Sequence, residues 1–108
     1  MPERRRAMRF EIDLKVCYRT GFSNTTQFGK IVNISAVGIL FTVQNDIPLW
    51  AAVEVIADWP VKGKGGMPLK LFIKGRVVRT QPGAVALRIV RVELLSETQA
   101  AARWNRIE

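Results

Sequence analysis

The sequence predicts a mainly β protein: a six-stranded antiparallel barrel followed by a C-terminal α-helix. Three observations lead there. Residues Phe10 to Tyr18 read F-E-I-D-L-K-V-C-Y, with apolar and polar side chains alternating over nine positions, the pattern of a strand with one face buried. Five further strand-sized segments follow, separated by short stretches rich in Gly, Pro, Asn and Ser. Strands never alternate with helical patterns, so a parallel doubly wound sheet is not expected. An antiparallel set of this size closes most simply into a barrel, which leaves no exposed sheet edge.

In the first strand Phe10, Ile12, Leu14, Val16 and Tyr18 share one parity, and Glu11, Asp13, Lys15 and Cys17 share the other. Residues 19 to 26, R-T-G-F-S-N-T-T, carry turn chemistry. Phe28 to Ile34 and Gly38 to Val43 are the second and third strands. Asn45-Asp46-Ile47-Pro48 breaks the chain before the fourth, Ala52 to Trp59, which sets Val53, Val55, Ala57 and Trp59 on one face. Residues 60 to 68, P-V-K-G-K-G-G-M-P, form a flexible hairpin connection. Leu69 to Arg79 is the fifth strand, bent at Gly75. Gln81-Pro82-Gly83 is a turn, and Ala84 to Val92 is the sixth strand. Ser96 and Gln99 then form a capping box, with Leu95 and Ala100 placed for a hydrophobic staple. Ala100, Ala101, Trp104 and Ile107 recur at helical spacing. A helix of about three turns is marginal alone, so its apolar stripe must lie on the barrel or on a partner. The expected organisation is a flexible arginine-rich segment over residues 1–9, a barrel over 10–93 and a helix over 94–108.

Composition narrows the function. The chain has 108 residues, 17 Lys and Arg against 9 acidic residues, and a formal charge of +8, which points to an anionic partner. Histidine is absent and Cys17 is the single cysteine, so neither an internal disulfide nor a Cys/His zinc site can form. A lone thiol fits a reducing compartment, and a cytoplasmic location is the default. No apolar run approaches the ~20 residues of a membrane-spanning helix. Carboxylates are few, no nucleophile–base pair is visible, and an enzyme is the poorest fit.

Two motifs carry the chemistry. Arg4, Arg5, Arg6 and Arg9 cluster just before the first strand, with Arg5 and Arg9 four apart. A guanidinium matches phosphate oxygens in bidentate fashion. It matches the O6 and N7 of guanine as well, a pairing worth about 1–3 kcal/mol of discrimination. Taken alone, such a cluster is more often a solvated basic tail. The second motif is Asn33-Ile34-Ser35-Ala36-Val37-Gly38, between two strands. Asn33 and Ser35 offer donors and acceptors, and Gly38 can take a positive φ and lets a ligand approach the backbone. Alone, these are ordinary turn residues.

Together the motifs resemble the two signatures of the PilZ family, six-stranded barrels that bind cyclic di-GMP. Arg5-Arg6-Ala7-Met8-Arg9 matches RxxxR, and Asn33 to Gly38 matches [D/N]xSxxG. Gly75-Arg76-Val77-Val78-Arg79 and Val85 to Ile89 resemble the family's later strands. The resemblance implies that Arg5 and Arg9 clamp phosphates and guanine edges, and that Asn33 reads a guanine. It gives Ser35 a base or phosphate and has Gly38 keep the approach open. An arginine just before the first signature, here Arg4, implies an intercalated pair of ligand molecules. Arg6 and Arg79 are further candidates, Arg79 at a point where family members can supply a stacking side chain; its bland alternative is an exposed strand arginine. No cofactor is expected beyond the ligand.

The expected mechanism is that ligand orders the N-terminal segment and so changes the surface offered to an effector protein. Ordering costs roughly 1–2 kcal/mol per residue, which points to reversible binding near micromolar, about −8 kcal/mol. Two alternatives are a basic barrel binding single-stranded nucleic acid and a PilZ-like scaffold working through protein contacts alone. The first needs aromatic platforms, and Phe28, Phe41 and Phe72 read as core residues.

Overall fold

The computed structural model describes residues 10–104, apart from 22 and 24. Six strands, β1 (Phe10–Thr20), β2 (Gln27–Ile34), β3 (Gly38–Thr42), β4 (Ala52–Asp58), β5 (Leu69–Gln81) and β6 (Ala84–Ser96), precede one helix, α1 (Glu97–Trp104). All neighbouring strands are antiparallel, and the order β1-β2-β3-β6-β5-β4 closes on itself through β4 and β1. Connections are short because each hairpin joins ladder neighbours; only β3 to β4 skips, leaving its place beside β3 to β6.

Alternation decides which side chains fill the barrel. Val16, Tyr18, Ile31, Ile39, Phe41, Val53, Val55, Leu71, Ile73, Val77, Val85 and Leu87 point inward and form one continuous buried core. Tyr18 is the polar exception: its ring meets Phe41 edge-on at 5.2 Å. Its hydroxyl accepts from the Gln44 amide at 3.2 Å and reaches Gln27 Oε1 at 3.3 Å, so burial leaves no orphaned group.

A second apolar layer lies outside the barrel. Ile56 and Phe72 face outward, where Leu95, Ala100 and Trp104 cover them with α1. The helix starts as the capping box requires: the Gln99 amide donates to Ser96 Oγ at 3.1 Å, and the Ser96 amide to Gln99 Oε1 at 3.0 Å. Charge fastens its end. Arg103 lies over the Phe72 ring at 5.2 Å and pairs with Glu93 of β6, while Arg19, paired with Glu54, lies 4.3 Å from the Trp104 ring.

The Arg103 guanidinium holds the Glu93 carboxyl below its ordinary range, chiefly through their hydrogen bond. A depressed carboxylate stabilises the fold above its unfolded-state pKa, and that support is lost as pH falls through the folded value. Docking of α1 is therefore expected to be insensitive to pH near neutrality and to loosen below roughly pH 4. Amide exchange at Ala100 should show the acid shoulder, and Glu93→Gln should remove it.

The structure departs from the sequence-based expectation at Phe28, at Ala101 and at the end of the sixth strand. Phe28 is not core but 65% exposed, because its cross-strand partner is Cys17 on the outer face of β1. Ala101 faces solvent while Ala100 is buried. The sixth strand runs on to Ser96, since Leu94 and Leu95 continue the ladder opposite Leu71 and Lys70. Trp50 takes a left-handed φ of 72° and is 60% exposed; its amide donates to the Val77 carbonyl at 2.7 Å and its own carbonyl accepts from Arg76 Nη1 at 3.0 Å. Those two bonds hold a bulky residue in a conformation it rarely adopts.

β6 joins the two halves of the ladder. It pairs with β5 along nearly its whole length but with β3 only from Arg88 to Ala84. Among the described residues, Val90 to Ser96 therefore has a strand partner on the β5 side alone. Val90, Val92 and Leu94 are exposed there, with Arg91 and Glu93 between them.

Candidate functional site

The Asn33–Gly38 motif forms the tight turn from β2 to β3. The Ser35 amide donates to the Gly38 carbonyl at 2.9 Å. The Ser35 hydroxyl accepts from the amides of Val37 and Gly38, both at 3.3 Å. This side chain therefore shapes the turn itself, satisfying amides that a two-residue loop would otherwise leave bare. Gly38 does not take a positive φ; its glycine is required by crowding instead, because a Cβ there would stand 2.8 Å from the Leu87 carbonyl of β6. The turn is also tied to β6 directly, the Ile89 amide donating to the Val37 carbonyl at 2.9 Å.

Cross-strand register builds a surface around this turn. Asn33 opposes Leu40, Leu40 opposes Ala86, and Ala86 opposes Arg79, so the four share the outer face of β2, β3, β6 and β5. One ladder step away Gly38 opposes Arg88 and Arg88 opposes Arg76. The result is an open groove of about 720 Å³, with Leu40, Val78 and Ala86 among its lining, Asn33 and the turn at one side and Arg79 and Arg88 at the other. Its size suits a small organic ligand. Among the described residues no acidic side chain lines it, and it is amphipathic, with an apolar floor and cationic rim.

Of the residues singled out by sequence, Asn33, Ser35, Gly38 and Arg79 line this one groove. Arg4, Arg5, Arg6 and Arg9 lie outside the described residues. The chain nevertheless enters β1 beside the site, since Phe10 pairs with Ile34 and Glu11 with Asn33. Arg5 precedes Phe10 by five residues, a span of at most about 18 Å when fully extended. Sequence reasoning missed Arg88. Alternation along β6 could have put it outward, but only the register places it beside Gly38.

Burial pushes the Cys17 thiol up, away from the reactive thiolate. Among the described residues no cluster of three or more His, Cys, Asp or Glu could hold a metal, and no helix is long and apolar enough to cross a membrane.

Comparison with known proteins agrees with this architecture. A family model described as the PilZ domain matches residues 3–103. Among solved structures the chain is similar to the inhibitor of motility (MotI/DgrA) of Bacillus subtilis, with a TM-score of 0.65 and 16% sequence identity. That match covers 94% of this chain and 48% of the other, so the chain spans about half the length of that protein. At this identity the likeness speaks to the fold alone. No curated protein matches the sequence.

Proposed function

Because the chain belongs to the PilZ domain family, we propose that it is a receptor module for cyclic di-GMP. It binds the messenger in the groove over the Asn33–Gly38 turn and passes the signal to an effector protein by contact. The observation that carries this reading is the meeting of Asn33, Ser35 and Gly38 with Arg79 in one groove, next to the point where the arginine-bearing segment enters β1.

The division of labour follows from chemistry. Leu40 and Ala86 give a base an apolar surface to lie on. Asn33 presents donor and acceptor to a guanine edge. Ser35 already holds the turn, so its contribution is to fix the backbone amides and carbonyls of residues 35–38 in place before ligand arrives. Arg5 and Arg9 close over the ligand from the N-terminal side and supply bidentate bonds to phosphate or to guanine O6 and N7. Arg4 adds charge for a second, intercalated ligand molecule. Ordering this segment on binding is the signal: it changes the surface offered to the effector.

Calorimetric titration with cyclic di-GMP tests the reading. The wild type is expected to bind near micromolar, less tightly as salt rises. Hydrogen bonds to charged groups are worth about 1.5–3 kcal/mol each, so Arg5→Ala should weaken binding by roughly ten- to a hundredfold or more. Two ligands per chain are expected if Arg4 plays its part; one per chain removes that role. Absence of heat with the wild type, or competition by single-stranded oligonucleotides at equal concentration, would remove the reading itself.

A further inference from the structure

We infer that Arg88 is an additional ligand contact whose guanidinium takes a phosphate of the bound nucleotide, a role that neither signature assigns. The inference rests on the reading of the groove as a cyclic dinucleotide site. It starts from register: on the outer face of β6, Arg88 has Gly38 on one side and Arg76 on the other.

Two arginines facing each other across a ladder repel. Arg76 is drawn away, because its Nη1 donates to the Trp50 carbonyl at 3.0 Å on the β4 side. Arg88 has no such anchor. Among the described residues Arg19, Arg91 and Arg103 each have a carboxylate within ion-pair distance, and Arg76, Arg79 and Arg88 have none. Of these three, Arg79 and Arg88 line the groove.

On its other side Arg88 faces Gly38, where the strands pack too closely for a Cβ because the Leu87 carbonyl stands there. No side chain at position 38 covers Arg88, and both residues line the groove. It is bounded by the turn that Ile89 pins to β6 through the Val37 carbonyl. Arg88 stands two residues along β6 from Ala86, about 6–7 Å. A base on the Leu40–Ala86 floor would then carry its phosphate to this rim. An exposed cation with no carboxylate partner among the described residues, beside the Asn33–Gly38 turn, is poised for an anion, and a phosphate relieves its repulsion from Arg76 as well.

The experiment titrates the wild type, Arg88→Gln, Arg88→Lys and Arg91→Gln with cyclic di-GMP at about 50 and 300 mM salt, where exposed charges are weakly and strongly screened. Loss of a charged bond predicts at least about tenfold weaker binding for Arg88→Gln, with a flatter salt dependence. Arg88→Lys keeps a point charge that phosphate accepts but loses the planar fork, and should bind between the wild type and Arg88→Gln. Arg91→Gln, outside the groove, should bind normally. Without ligand, Arg88→Gln should melt no lower than the wild type, because it removes a like-charge contact.

Wild-type binding with an unaffected Arg88→Gln overturns the inference and leaves the groove's function standing. Binding by Arg88→Gln that is weakened with the salt dependence of the wild type overturns the assignment to phosphate, because loss of a charge contact to phosphate must flatten that dependence. Failure of the wild type to bind overturns the reading of the groove, and this inference with it.

Discussion

Phe41→Ala is expected to leave the domain close to unfolding at physiological temperature. Phe41 is fully buried, and its ring is the edge-on partner of Tyr18 in the barrel centre. Truncating a buried phenylalanine costs about 3–5 kcal/mol, from the lost transfer energy and the cavity left behind. Domains of this kind have about 5–15 kcal/mol in total. The damage spreads through Tyr18, whose hydroxyl links the Gln44 amide to Gln27. Urea unfolding should show the midpoint falling by about 2 M, given slopes of about 1–3 kcal/mol per M. Phe28→Ala supplies the contrast. That ring is solvent-facing, and its loss should stay within about 0.5 kcal/mol. If Phe28→Ala proved the more damaging of the two, the inward and outward faces of β2 and β3 would be wrongly assigned.

Gly75→Ala is the second large effect, and it should damage both stability and binding without removing a ligand contact. Gly75 sits where the register between β5 and β6 shifts, between Lys74↔Arg91 and Gly75↔Ile89. The strands approach so closely there that a Cβ would lie 2.2 Å from the Arg88 carbonyl and 2.9 Å from Leu87 Cγ. Neither obstacle is the loose end of a flexible chain, so β6 must move. Overpacking of this kind costs about 1–3 kcal/mol and sometimes more, a melting-point drop of about 4–8 °C per kcal/mol for a domain of this size. The displaced segment carries Arg88 and Ala86, hence the groove. Weakened cyclic di-GMP binding by the fraction of Gly75→Ala that stays folded would locate the effect in β6. A variant that melts and binds like the wild type would show that the strands do not meet so closely.

Local chemistry made much of this fold legible beforehand. The alternation of the first strand, followed from Asp13 to Tyr18, and the capping box at Ser96–Gln99 are each written within a few consecutive residues and found in place, and the expected irregularity at Gly75 is a register shift. Phe28 escaped because β2 has no clean parity: Phe28, Ile31, Val32 and Ile34 fall on both faces, and only pairing with Cys17 settles the matter. The end of β6 escaped because Leu94 and Leu95 are as good a lead into a helix as the end of a strand, until Leu71 and Lys70 stand opposite.

The candidate site divides in the same way. Its turn was visible as Asn33-x-Ser35-x-x-Gly38, although the reason for the glycine was not: a carbonyl on a strand nearly fifty residues later decides it. The groove is a product of register across four strands. Arg79 and Arg88 become neighbours of Asn33 and Gly38 only when β6 is inserted between β3 and β5. No reading of one segment at a time could have supplied Arg88.

The half-open side of β6 has a consequence for how this protein behaves in concentrated solution. Backbone donors and acceptors beyond Arg88 that have no partner among the described residues, flanked by valines and a leucine, are a template on which a foreign strand can assemble. Arg91 and Glu93 interrupt that template with charge. Neutralising both would turn a tolerated seam into a nucleus for self-association, even with the barrel intact and its ligand chemistry untouched.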